Sequence, residues 1–90
     1  MYEILYSDDV TKKDLPKISK PLRYSIQKAI EAKLMTRPEI YGKPLRRSLK
    51  NYRKLRAGDY RIVFRIEEHK VKIFVIQHRS VVYSIASKRL

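Results

Sequence analysis

Ninety residues with 22 Lys+Arg against 9 Asp+Glu, a formal charge of +13 and a pI near 10.2, make one domain with a modest core and a surface that favours polyanions or acidic proteins. The absence of cysteine excludes disulfides and thiolate metal sites and suits a reducing cytoplasm. The N-terminus lacks a basic segment followed by an apolar one, and no apolar run approaches the ~20 residues that span a bilayer, so neither a secretory signal nor a membrane segment is expected.

Residues 2–6 are a short apolar run that fits a strand. Ser7 or Asp8 is placed to cap a helix over the weakly amphipathic stretch Val10–Ile18, which Pro16 should end. A second helix starts after Ser19, with Pro21 near its first position. Its stripe is Leu22, Ile26, Ala29, Ile30 and Leu34, and Pro38 stops it by Met35 or Thr36. The two helices read as an antiparallel hairpin packed on one sheet face. Residues 37–51 read as a loop with one helical turn at Leu45–Leu49.

The chain is organised around residues 52–83. A short strand, Tyr52–Arg56, turns through Ala57-Gly58-Asp59 into a run where Tyr60, Ile62, Phe64 and Ile66 share one face and Arg61, Val63 and Arg65 the other. The polar loop at 67–70 leads to a partner strand, where Val71, Ile73 and Val75 oppose Lys72, Phe74 and Ile76. The tail, residues 84–90, suits a short terminal helix. The order β-α-α-β-β-β-α defines a single α+β domain over residues 1–90: an N-terminal strand, a helical hairpin, a three-stranded antiparallel meander and a short helix.

A basic stripe runs from Lys43 to Arg61 through Arg46, Arg47, Lys50, Arg53, Lys54 and Arg56, with Asp59 its only acid. On the first meander strand Lys54 and Arg56 share a face; Leu55 points to the core, and Arg53 lies on Leu55's side. Such a row suits phosphates, because arginine offers forked hydrogen bonds. The bland reading is a solvated basic face; the whole-chain charge favours nucleic acid over it. Tyr60 belongs to the buried face, Tyr52 can pack or stack, and Tyr83 is placed either to stack on an unpaired base or to pack on the terminal helix. His69 and His78 have no partners at metal-ligand spacing, and Glu67 and Glu68 read as solvated loop residues. His78, beside Arg79 at a strand end, is a candidate general base or a structural residue.

Three segments, residues 54–66 (KLRAGDYRIVFRI), 71–83 (VKIFVIQHRSVVY) and 83–90 (YSIASKRL), resemble the RelE toxins of the RelE/ParE superfamily over nearly the whole chain. The resemblance implies a toxin of a type II toxin–antitoxin system that enters the ribosomal A site and cuts mRNA there without a metal or other cofactor. It also implies a RelB-like antitoxin that wraps an extended, helical segment around the toxin. By the same resemblance, Lys54 would activate the 2′-hydroxyl and Arg61 would stabilise charge on the phosphate. Arg79 would neutralise the leaving 5′-oxygen, and Tyr83 would orient the reacting base. Lys43, Arg46, Arg47, Lys50, Arg53, Arg56, Arg65 and His78 would add RNA contacts. A basic residue that some members carry two positions before Lys54 is Tyr52 here, and the segment before Tyr83 is shorter than in some members. Two other readings share the composition: a ParE-type toxin acting on DNA gyrase, whose chains commonly lack the catalytic members of the Lys54/Arg61/Arg79/Tyr83 set, and a basic nucleic-acid-binding module without activity.

Overall fold

The computed structural model describes all of residues 1–90. It has the expected α+β order, with one additional strand. β1 (Glu3–Tyr6) leads into a π-type turn over Val10–Asp14 and a 3₁₀ turn over Leu15–Lys17. The first arm of the helical pair is therefore a wide turn followed by a tight one rather than an α-helix, with Pro16 inside the second and Ser7 Oγ accepting from the Val10 N–H at 3.3 Å. α1 (Lys20–Ala29) follows, with Pro21 in its first turn, and continues as a wide turn over Ile30–Leu34. α2 (Pro38–Tyr41) is a single turn, and β2 (Lys43–Pro44) pairs with the start of β3 (Arg53–Ala57). β4 (Tyr60–Glu67), β5 (Lys70–His78) and α3 (Val82–Arg89) complete the chain. The β4–β5 turn is only Glu68-His69, because Glu67 and Lys70 already pair across it.

The sheet order is β1-β5-β4-β3-β2, antiparallel except where β1 lies parallel to β5. Its two faces carry separate apolar clusters. One packs Val10, Ile26, Ile30 and Leu34 on Leu55, Ile62, Phe64, Val71, Ile73 and Ile76. The other packs Val82 and Ala86 of α3 on Val63, Val75 and Leu49.

The second cluster corrects the strict alternation expected of β5. Val63 pairs with Val75 but Phe64 with Ile73, so Phe74 has no residue opposite it. This β-bulge turns Val75 to the α3 face and returns Ile76 to the α1 face. β5 thereby supplies core residues to both layers.

β1 covers only Lys70–Ile73, leaving the edge of β5 without a strand beyond that point. Side chains take over there. Asp14, 1% exposed, accepts from the Ile76 N–H at 2.8 Å and from Gln77 Nε2 at 2.7 Å. Arg89 reaches both Asp14 oxygens at 2.9 and 3.1 Å and also donates to the Phe74 carbonyl at 3.0 Å. The hydrogen bonds it donates to Asp14 outweigh partial burial and push the Arg89 guanidinium above its ordinary value. No buried side-chain polar atom is left without a partner.

Removing one member of such a pair strands the other together with a backbone N–H. We expect Asp14→Ala to lower unfolding stability by about 3 kcal/mol, read as a reduced urea midpoint. A variant as stable as the parent would show that water replaces the carboxylate without penalty.

Candidate functional site

β3 has two faces with different duties. Leu55 is buried beneath α1, and Arg53 lies on the same side, as strand parity requires. The Arg53 Nη1 donates to the carbonyls of Gly42 at 2.9 Å and Glu39 at 3.3 Å, so this arginine clamps the α2–β2 corner. Lys54 and Arg56 face the α3 side. Antiparallel register sets Lys54 beside Lys43 and Val63, and Arg56 beside Arg61. Lys43, Lys54, Arg56 and Arg61, with Tyr41, line one cleft of about 150 Å³. None of these four cations forms an ion pair with a carboxylate.

Arg61 is aimed by the β3–β4 turn. Its Nη1 donates to Gly58 O at 2.9 Å and Tyr60 O at 3.0 Å, which leaves Nη2 and Nε for an incoming anion. Gly58 holds φ of +60°, a conformation that costs a glycine nothing. Arg79 stands at the same turn: its N–H donates to Asp59 O at 2.8 Å and its Nε lies 3.8 Å from the Asp59 carboxylate. Both side chains are mostly exposed, so this pair is weak and easily exchanged for a phosphate.

Tyr83 occupies the first turn of α3 and is 39% exposed. Its neighbour Val82 is buried against the sheet, which fixes the helix start and brings the Tyr83 ring to 5.5 Å from Lys54 Nζ. The structure thus brings Lys54, Arg61 and Tyr83 to one side of the sheet, with Arg79 at the adjoining turn. It does not bring His78 there. That ring pairs edge-to-face with Tyr60, on the α1 side, with its Nδ1 2.8 Å from Ser80 Oγ.

Arg65 shares the α3 side but is engaged. Its guanidinium lies 5.5 and 5.4 Å from the ring centroids of Tyr52 and Phe74, and it bonds Glu67. Tyr52 meets Phe74 edge-on at 5.6 Å, so it is a packing residue of this cluster. Arg46, Arg47 and Lys50 are exposed on the β2–β3 loop, whose Leu49 anchors it to the α3-side cluster. Tyr41 was not singled out by sequence spacing, because it lies in a segment without periodicity; its neighbours Gly42 and Lys43 were the only local signal.

A larger apolar groove, about 790 Å³, runs along α1 between Tyr6, Leu15, Tyr24 and Ile26, with Lys20 and Arg23 also lining it. Burial, with the Glu31 charge second, pushes the Tyr6 phenol up.

Comparison with known proteins places this small basic α+β domain in a class, the toxins of type II toxin–antitoxin systems. Residues 4–83 match the family described as the ParE toxin of type II toxin–antitoxin systems, parDE. The chain is 33% identical over 73 residues to Toxin RelE of Mycobacterium tuberculosis, covering 79% of this chain and 75% of that protein. It is also 33% identical over 88 residues to the mRNA interferase toxin RelE of Escherichia coli, covering 92% of each. Its fold is similar to that in the RelBE2 toxin–antitoxin complex of M. tuberculosis, with a TM-score of 0.71, 28% identity and coverage of 87% of this chain and 98% of that one. The RelB–RelE antitoxin–toxin complex of Methanococcus jannaschii shares the fold at a TM-score of 0.68 and 20% identity, covering 90% and 96%. The chain belongs to the ParE toxin family of type II toxin–antitoxin systems, within the RelE/ParE superfamily.

The Arg65–Glu67 contact has a pH signature. Hydrogen bonds from Arg65 first and Lys72 second hold the Glu67 carboxyl below its ordinary range. A depressed carboxyl contributes stability above its unfolded value of about 4.3 and loses it as pH falls through the lower folded value. Glu67→Gln should therefore be less stable than the parent at neutral pH, and the two should converge on acidification. A difference that does not shrink with acid would contradict an ionic origin.

Proposed function

We propose that this toxin is a metal-independent endoribonuclease that cuts mRNA in the ribosomal A site and so arrests translation in the cytoplasm. The observation that carries this reading is the cleft itself, in which four cations converge and no carboxylate neutralises them. Gathering like charges is unfavourable unless an anion completes the set, and a phosphodiester does so. The names of the RelE relatives at 33% identity support the choice of mRNA over other polyanions.

In the proposed reaction the RNA supplies its own nucleophile. Lys54, having first released its own proton to solvent, accepts the proton of a ribose 2′-hydroxyl, and the 2′-oxygen attacks the adjacent phosphorus. The free donors of Arg61 stabilise the added charge of the phosphorane, often the largest contribution to such reactions. The bond to the 5′-oxygen breaks, leaving a 2′,3′-cyclic phosphate and a 5′-hydroxyl. Arg79, released from Asp59, stabilises the charge on that oxygen, which takes its proton from water. Tyr83 stacks on the base beside the reacting ribose and sets its angle to Lys54. Lys43, Arg46, Arg47, Lys50 and Arg56 hold the flanking RNA on the same side of the sheet. No cofactor is required.

The partner expected to silence the toxin is a RelB-like antitoxin, acidic in the segment that meets this surface. The groove along α1, with Lys20 and Arg23 among its lining, offers an apolar seat for part of that segment. The solved RelBE complexes of M. tuberculosis and M. jannaschii support a partner of this kind.

Expression of the chain followed by primer extension should show cuts in phase with codons. Lys54→Ala should lower cleavage about 10²- to 10⁴-fold and Arg61→Ala about 10²- to 10³-fold, with little change in folding, since both side chains stand outside the apolar clusters. Full A-site cleavage by Lys54→Ala would remove Lys54 from the role of base. Intact mRNA with damaged DNA would move the reading to a gyrase-directed toxin, and a parent that causes no growth arrest would leave only a basic binding module. Ribosome affinity should also fall steeply with salt, because phosphate contacts release counterions; a flat response would contradict the basic-surface reading.

A further inference from the structure

Tyr41 is an exposed tyrosine whose backbone is pinned at the corner between α2 and β2. The Tyr41 N–H donates to Arg37 O at 3.1 Å, and the Gly42 N–H donates to Pro38 O at 2.9 Å. Arg53 hydrogen-bonds carbonyls on both sides of Tyr41, those of Glu39 and Gly42. Gly42 lies so close to the core that a Cβ there would stand 2.2 Å from Phe64 Cζ, so the corner is seated directly on the Phe64 ring. Yet the Tyr41 side chain is 47% exposed and lines the cleft with Lys43, Lys54, Arg56 and Arg61. Lys33 Nζ sits 5.7 Å from its ring centroid and adds a further cation.

A lone exposed tyrosine needs no explanation. A rigidly mounted aromatic face at the edge of an acid-free cationic cleft is different, because alternating cations and aromatics are what single-stranded nucleic acid binds: phosphates on the charges, bases on the rings. Lys54 is common to both aromatic groups, since it lines the cleft with Tyr41 and carries its Nζ over Tyr83.

We propose that Tyr41 is a second stacking platform, which takes the nucleobase flanking the phosphate held by Arg61 while Tyr83 takes the base at the reacting ribose. The cleft then grips a short single-stranded step between two rings. This inference rests on the RNA-cleaving reading but concerns binding, so it can be tested without cleavage.

The chain has no tryptophan, so Tyr41→Trp introduces a single indole, which can be excited selectively over the tyrosines. The probe is a 2′-O-methyl hexaribonucleotide, which cannot be cut, and versions of it with one base at a time removed. The intact hexamer should quench the emission, and removal of one particular base should restore most of it. Tyr41→Ala should bind the hexamer about 5- to 100-fold more weakly, while Tyr41→Phe keeps the affinity, because stacking needs the ring and not the hydroxyl. The slope of affinity against salt should stay unchanged in Tyr41→Ala, since no phosphate contact is lost. The platform is overturned if Tyr41→Ala binds as the parent does, or if every abasic hexamer quenches as well as the intact one.

These outcomes separate the two readings. A parent that binds the hexamer and loses affinity in Tyr41→Ala, yet never cuts mRNA, keeps the platform and sinks the nuclease. A parent that cuts in codon phase while Tyr41→Ala binds and cuts equally well keeps the nuclease and sinks the platform. A parent with no affinity for the hexamer at low salt sinks the platform, and primer extension alone then decides the nuclease.

Discussion

The fold depends on how the open edge of β5 is closed. β1 is too short to cover it, and the backbone groups of Phe74 and Ile76 would otherwise lack strand partners. Asp14 and Arg89 fill that gap from opposite ends of the sequence, 75 residues apart. One carboxylate collects the Ile76 N–H, Gln77 and Arg89; one guanidinium collects the carboxylate and the Phe74 carbonyl. The contact joins the N-terminal turns, the sheet edge and α3 in a single hydrogen-bonded knot. Because α3 carries Tyr83 at one end and Arg89 at the other, the same knot that seals the edge also fixes the helix bearing the tyrosine over Lys54.

The bulge at Phe74 is the second constraint. Without it β5 would present Val75 to the α1 side and Ile76 to the α3 side. With it, Val75 meets Val63, Val82 and Ala86, giving α3 a dry seat. A helix of 8 residues has little stability of its own and needs such packing to hold its position. The bulge, the apolar seat and the ion pair together set where the first turn of α3 lies.

Much of this architecture was legible in the residues, and the parts that were not share a cause. β4 was readable because its apolar and charged residues alternate, and parity alone set Lys54 and Arg56 on one face; the β3–β4 register adds Arg61 to it. The bulge was not, because residues 73–76, Ile-Phe-Val-Ile, are apolar throughout and a one-residue slip leaves no polar marker. Asp14 lies unmarked within the weakly amphipathic stretch Val10–Ile18, since its partners lie more than 60 residues away. Tyr41 was missed for a similar reason: what makes it notable is the corner built by Gly42, Arg53 and Phe64, three residues from separate elements. Local pattern reveals local geometry; long-range pairings need the fold.

The cations fall into two groups once their partners are known. Arg53 holds backbone carbonyls, Arg65 is enclosed by two rings and Glu67, and Arg89 is tied to Asp14; each is engaged within the structure. Lys43, Lys54, Arg56 and Arg61 pair with no carboxylate, though only 9 acids are available to 22 basic residues and several of those acids serve elsewhere. The acids are therefore unevenly distributed, and the cleft receives none of them. Repulsion within the cleft opposes the folded state, and the packing of α3 and the buried ion pair offset it. A polyanion relieves that repulsion whether it is an RNA backbone or an acidic protein segment. On the proposed reading, substrate and antitoxin then compete for the same uncompensated charge, and toxicity and its neutralisation become two uses of one electrostatic feature.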